Sequence, residues 1–319
     1  MAEIVETHLH HKAILPHQLS GWNVLKKELG IVAAGDFKYW AKRPDIFPNY
    51  PIVDDDSFSS LLIFVSKIAL EVEILFPESI LLLLSPHSRE VVINQRQILC
   101  LMCHAFMNSF APCDFDGQQL TLVSWGGEVE KLKCFIAYLE ECKSRIQGDV
   151  DWVGTNVSYS RRCFVSNNTW LTSKKSLCLV TVAEGLSDCI ERAPESLHAD
   201  FANEYIGGGV LHGGCVQEEI RFTICPETLV SLLLCDRMGR TDSILIRGTE
   251  QFAAYSGYGR SFRYAGKFMD TNRIVDGFRE SSIVAIDAIP YFGKGEKMQY
   301  NDRNTEDEIN KVQIYPWSK

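Results

Sequence analysis

Between residues 61 and 75 the apolar side chains Leu61, Leu62, Phe64, Val65, Ile68, Ala69, Val72 and Leu75 recur at three- and four-residue intervals, the period of one helix face. Asp54-Asp55-Asp56-Ser57 ahead of them offers capping oxygens and negative charge to a helix start, and Pro77 ends the helix. Residues 61–84 form the most apolar run. Lys67, Glu71, Glu73, Pro77 and Glu78 interrupt it, so it predicts a buried helix and a turn rather than a membrane span. A second helix is predicted over 94–110, with Ile98, Leu101, Met102, Ala105 and Phe106 as its apolar stripe. A third is predicted over 128–145, with Val129, Leu132, Phe135, Ile136 and Leu139 inward and Lys131, Lys133, Glu140 and Glu141 mostly outward. Residues up to 51 carry four prolines and read as an irregular arm with one short helix near 23–29. The first 149 residues therefore predict an arm and a helical layer with no reactive constellation of their own.

Beyond Gly148 the period shortens. Residues 157–164, 177–182 and 197–201 are short β-branched or alternating runs, and 243–246 and 281–288 are compact apolar strands. Residues 226–238 predict a helix, with Pro226 in its first turn and Leu229, Leu232, Leu233 and Leu234 behind it. Strands separated by helices predict an α/β domain with a mixed sheet over 150–319.

Composition narrows the function classes. The 319 residues are 46% hydrophobic and 23% charged, enough for a large core and two domains. The formal net charge is −9, which argues against sequence-specific reading of nucleic acid. Eleven scattered cysteines favour reduced thiols in cytoplasm or nucleus over a disulfide framework. Cys100-Leu101-Met102-Cys103-His104 spells a haem-attachment pattern, but it lies in an apolar helical run where cysteines pack as small hydrophobes. His8, His10 and His11 have no second ligand cluster and read as part of a flexible tail, so no metal is expected. Met1 to Glu6 lacks the basic start and apolar centre of a signal peptide.

The chemistry is concentrated between Asp200 and Phe222. Gly207-Gly208-Gly209 and Gly213-Gly214 separate Asp200-Phe201-Ala202-Asn203 from Gln217-Glu218-Glu219. Glycine takes positive φ and lets a ligand approach the backbone, and consecutive glycine N–H groups form nests for phosphate oxygens. A carboxylate pair just beyond such a nest suggests acid/base work on a phosphorylated sugar. Neighbouring side chains diverge in an extended chain, so Glu218 and Glu219 are expected to do different jobs. One would protonate a leaving oxygen, and the other would accept hydrogen bonds from ribose hydroxyls. The plainer alternative is a solvated acidic pair at a helix start. A second cluster, 248–258, follows the strand at 243–246, and Tyr255 and Tyr258 there could stack on a base or sugar. The glycines do not keep the Gly-x-Gly-x-x-Gly spacing of dinucleotide enzymes, which disfavours a dehydrogenase.

Three glycines, seven residues and Gln-Glu-Glu, extended through Asp200-Phe201-Ala202-Asn203 and Ile220-Arg221-Phe222, resemble the signature of the poly(ADP-ribose) glycohydrolases. The resemblance implies a macrodomain-like fold behind a helical accessory part, no cofactor, and hydrolysis of ribose–ribose bonds in poly(ADP-ribose). Glu219 would be the catalytic acid/base. Glu218 and Asn203 would bind ribose hydroxyls, Asp200 would support the loop, and Gly207, Gly208 and Gly209 would lie against the diphosphate. Gln217, Ile190 and Glu191 would serve the adenine side, with Tyr255 and Tyr258 covering the substrate. The implied partners are poly(ADP-ribose) and ADP-ribosylated proteins, without a membrane. The implied protein is monomeric and acts in nucleus or cytoplasm. The family continues past the strand at 283–288 to a second Gly-rich loop with a Trp and a Phe, for which the residues up to Lys319 hold no counterpart. The expectation is a phosphate cradle missing half its donors, with an ADP-ribose-binding module of weak or no activity as the alternative.

Overall fold

A computed structural model describes residues 55–107, 110, 116–122, 125, 128–148, 154–163, 174, 182, 189–193, 196–291 and 293–313. The arm at 1–51, its histidines and 177–181 lie outside the described residues.

The three expected helices form: α1 (Asp55–Ala69), with a single further turn α2 (Val72–Leu75), then α3 (Gln95–Phe106) and α4 (Val129–Gln147). Asn94 sets the start of α3. Its side chain accepts the Gln97 N–H at 2.9 Å, while Gln97 Oε1 accepts the Asn94 N–H at 3.1 Å, satisfying two donors that the first turn leaves open. Cys100 and Cys103 are buried in α3, and His104 Nε2 lies 3.0 Å from the Ala69 carbonyl, so the haem-like pattern is core.

The helical part also holds one strand that the sequence analysis did not predict: β1 (Arg89–Asn94) runs antiparallel to β2 (Asn156–Cys163). The cross-strand pairing decides the conformation of Arg-Glu-Val-Val-Ile-Asn, which is too short and charged to declare itself as a strand.

The mixed sheet has the order β3-β9-β4-β2-β8-β7, with β1 added on β2. It is built from β3 (Leu197–Ala202), β4 (Asp242–Arg247), β9 (Ser282–Asp287) and the short β7 (Ile274–Val275) and β8 (Phe278–Arg279). β3 and β9 are parallel, whereas β4 is antiparallel to both β9 and β2. All five residues from Val157 to Arg161 are buried, so both faces of β2 are covered. A hairpin of β5 (Ala253–Ser256) and β6 (Arg263–Lys267) packs beside α4. The expected helix at 226–238 is broken: a 3₁₀ turn Pro226–Val230 leads into the single turn α6 (Ser231–Leu234). Helix α7 (Asp302–Gln313) follows β9, and its buried Lys311 donates to the Asp287 carbonyl at 2.9 Å.

A single apolar cluster joins the helices to the sheet, from Leu61 and Phe135 through Tyr159 to Ile246 and Ile283. Truncating one such aromatic, Phe135, to Ala would cost about 3–5 kcal/mol. Polar ties reinforce the junction. Glu250, 1% exposed, accepts Arg145 of α4 through both oxygens at 2.8 and 2.7 Å and Arg279 at 2.9 Å.

Candidate active site

Helix α5 (Gln217–Ile224) begins at the acidic triplet, and its first turn builds the site. Side chains on a helix tilt toward its N-terminus, so those of the first turn reach past the helix end into the preceding loop. Glu218 Oε1 accepts the Gly207 N–H at 2.6 Å, and Oε2 accepts the Asn203 N–H at 3.0 Å. Glu219 Oε1 accepts the Gly209 N–H at 2.9 Å, and Oε2 accepts the Val216 N–H at 2.8 Å. Glu218 is 3% exposed and Glu219 is 7% exposed. The acids are therefore neither divergent nor solvated. Helical geometry brings both carboxylates under one loop.

The loop's glycines also differ from the expected nest. Gly207 and Gly209 give their N–H groups to the two glutamates, and Gly208 donates to the Tyr205 carbonyl at 3.0 Å. All three amides turn inward. What glycine provides is room: a Cβ at Gly208 (φ +51°) would lie 2.5 Å from Glu218 Oε2 and 2.8 Å from Glu219 Oε1. The two carboxylates thus bracket one point from two sides. At Gly214 a Cβ would meet Glu219 Oε1 at 2.8 Å.

A third acid lies beneath. Asp200, on β3, is 1% exposed, and among the described residues neither carboxylate oxygen has a hydrogen-bond partner. Burial pushes its pKa up to about 8, opposed by the Arg221 cation and assisted by Glu219. Burial, then the Asp200 charge, raises Glu218 well above the usual carboxylate range, against the two backbone N–H bonds it accepts. Asp200 and Glu218, buried together, therefore hold their protons more tightly than exposed carboxyl groups do. No hydrogen bond joins Asp200 to the loop, so its influence there is electrostatic.

The other expected residues fall around this centre. Asn203 is exposed, and its Oδ1 accepts the Tyr205 N–H at 3.0 Å. Gln217 is engaged with β3: its Oε1 accepts the Phe201 N–H and its Nε2 donates to the Ala199 carbonyl, each at 3.0 Å. Ile190 and Glu191 lie in a 3₁₀ turn before β3, and Glu191 Oε1 accepts the Tyr255 hydroxyl at 2.9 Å. Tyr255 stacks on Phe262 and, with Glu191 and Arg221, lines a cavity of about 510 Å³. Tyr258 is 59% exposed. The Gly259 N–H donates to the Cys215 carbonyl at 2.8 Å and hangs the tyrosine loop beside the glycine loop.

Lys131 is the residue that the sequence reading placed wrongly. It is 1% exposed and points into the protein, where its Nζ donates to the carbonyls of Val210, His212 and Gly214 at 2.9, 2.6 and 2.5 Å. Its spacing held the signal: Lys131, Phe135, Tyr138 and Cys142 form one i, i+4, i+7, i+11 stripe, and all four are buried. Trp125, 0% exposed, adds an indole N–H to the Val210 carbonyl at 2.8 Å. Among the described residues no group of three His, Cys, Asp or Glu side chains could hold a metal ion. No described helix is long and apolar enough to cross a membrane.

Comparison with known proteins agrees with this arrangement. The family model for the poly(ADP-ribose) glycohydrolase helical domain matches residues 53–161, and that for its macro-domain fold matches residues 167–315. Among curated proteins, Poly(ADP-ribose) glycohydrolase 1 of Arabidopsis thaliana is 41% identical over 165 residues, 50% of this chain and 28% of the relative. Probable poly(ADP-ribose) glycohydrolase 2 of the same plant is 34% identical over 259 residues, 72% of this chain and 47% of the relative. Poly(ADP-ribose) glycohydrolase 1 of Caenorhabditis elegans is 32% identical over 263 residues, 78% of this chain and 31% of the relative. Each match thus spans less than half the length of its curated relative. With both parts of the fold matched, the chain belongs to the poly(ADP-ribose) glycohydrolase family.

Proposed function

We propose that this protein hydrolyses the ribose–ribose O-glycosidic bonds of poly(ADP-ribose) and releases ADP-ribose, with Glu219 as general acid and then base. The supporting observation is the pair of buried carboxylates drawn under Gly208 by four backbone N–H groups. Glu219 hands a proton to the leaving ribose oxygen as the bond to the anomeric carbon breaks. It then takes a proton from the water whose oxygen bonds to that carbon. The phosphate of the substrate itself stabilises the positive charge that develops on the sugar. Glu218 and the exposed Asn203 bind ribose hydroxyls. Tyr258 covers the sugar and base, and Glu191 with Ile190 borders the adenine. Gln217 acts on the adenine side through β3, which its amide holds. The working partition is a helical part up to residue 149 and a macrodomain-like part beyond it, with β1 crossing between them. The substrate is polymer on modified proteins, the acting form is a monomer, and the compartment is nucleus or cytoplasm.

A second reading, ADP-ribose binding without turnover, is favoured by the inward glycine amides, which give the diphosphate no backbone donors at 207–209. Labelled polymer separates the two. The purified protein releases ADP-ribose and Glu219→Gln loses about 10²–10⁴-fold of that rate, the range for a lost general acid. Equal rates for the two proteins would remove Glu219 from the mechanism. Calorimetric ADP-ribose binding without any release would establish the second reading.

A further inference from the structure

We infer that Lys131, in the helical part, is a positioning residue for the acid/base Glu219, acting through the glycine loop. The inference rests on the function proposed above but is argued from contacts of its own.

The loop from Ile206 to Val216 has little regular structure to hold it. Its internal hydrogen bonds are short-range: Val210 to Gly207, and both His212 and Gly214 to the Gly209 carbonyl. Its middle is pinned from outside at three carbonyls, those of Val210, His212 and Gly214, which converge on one ammonium group. An ammonium has three rotatable donors, and here each has an acceptor, so the geometry suits lysine and not the planar fork of arginine.

The pinned loop is the one that encloses Glu219. Gly209 donates its N–H to Glu219 Oε1, and Gly214 packs so closely against Gly209 and the same oxygen that a Cβ would lie 2.8 Å from each. The Val216 N–H, two residues beyond Gly214, holds Oε2. Moving the Gly214 carbonyl therefore moves both walls of the carboxylate's cage. Trp125 seats the same clamp from the side. Its indole N–H shares the Val210 carbonyl with Lys131, and Nζ lies 6.0 Å from the ring centroid. Burial draws the lysine pKa down, and the facing Cys215, Glu128 and Glu219 draw it back up.

Nothing here requires Lys131 to touch substrate. Its effect is on where Glu219 sits, so it should govern the chemical step more than binding. In the full-length chain, Lys131→Met keeps the length of the side chain and removes all three donors. The expected result is a loss of about tenfold or more in kcat for ADP-ribose release, with KM changed less than about threefold. Lys131→Arg keeps the charge without the three-donor geometry and should fall between. Trp125→Phe removes one donor and keeps the aromatic packing, so it should lower kcat by a few-fold in the same direction even if Lys131→Met folds poorly.

Hydrogen exchange of the peptide spanning 205–216 provides a readout independent of turnover. Lys131→Met should speed that exchange at least about tenfold while peptides of α3 and β4 keep wild-type protection. Loop exchange and kcat both unchanged in Lys131→Met would overturn the inference, as would a uniform loss of protection across the chain with a normal kcat. If the wild type releases no ADP-ribose, the functional reading fails, whereas loop exchange still decides whether Lys131 holds the cage.

Discussion

Two pairs of buried glutamates, Glu218 with Glu219 and Glu227 with Glu250, differ in the groups that hold their oxygens. Glu218 and Glu219 open α5, and their four oxygens are held by backbone N–H groups. Glu227 follows that helix and Glu250 follows β4. Glu250 faces the guanidinium groups of Arg145 and Arg279, and the Glu250 N–H binds Glu227 at 2.8 Å. All four are buried. The difference lies in who compensates the charge. Arginines neutralise Glu250 and fasten α4 to the sheet, a structural use of charge. Backbone N–H groups, not guanidinium groups, hold the oxygens of Glu218 and Glu219. Burial alone does not mark a reactive acid.

The sharpest way to break this contrast is Glu250→Gln, which strands Arg145 and Arg279 against an uncharged amide. Denaturant unfolding should show a loss of about 3–5 kcal/mol, the usual cost of breaking a buried ion pair. Material that remains folded should bind ADP-ribose normally. A loss below about 1 kcal/mol would place Glu250 outside the structural class.

Gly208→Ala probes the other pair, with Gly259→Ala as its match. Both positions have positive φ, +51° and +58°, but a Cβ at Gly259 meets nothing within 4 Å. Each should lose about 1–2 kcal/mol from backbone strain. Only Gly208→Ala should lose more, because its methyl group displaces two carboxylates. Equal losses would show that the acids are free to move aside.

The pH dependence sharpens the comparison further. The folded pKa of Asp200, about 8, is above its ordinary 3.8, so the native state holds a proton that the unfolded chain releases. This contribution is complete below pH 3.8 and declines as pH rises toward 8. Glu227, raised from 4.5 to about 8 by burial and then by the Glu250 charge, slopes the same way. Asp200→Asn should flatten the decline by up to about 1.4 kcal/mol per pH unit, one proton's share, in urea titrations between pH 4 and 8. The smallest effect belongs to Tyr255→Phe. Removing its bond to Glu191 should cost about 1 kcal/mol in thermal unfolding and leave kcat nearly unchanged.

The sequence was most informative where local physics dominates. The apolar stripe of α3 and the runs that became β2, β4 and β9 are legible, the strands to within one residue, because periodicity is short-range. The acids, the glycines and their shared site were legible too, through a motif. How they face one another was not. Two neighbouring glutamates diverge in an extended chain and converge when a helix begins at the residue before them. The inward turn of the glycine amides depends on that convergence. Lys131 was misplaced because a charged residue on a helix is usually solvated, and its acceptors lie 79 to 83 positions away. β1 depends on β2, a partner that no local window contains.

Gln217 has a wider consequence. Among the described residues β3 pairs with β9 alone, and the Gln217 amide occupies the Phe201 N–H and the Ala199 carbonyl on its opposite side. The side chain acts as a one-residue counterfeit strand. An incoming peptide would find those two rungs already taken by the residue that starts the acid-bearing helix.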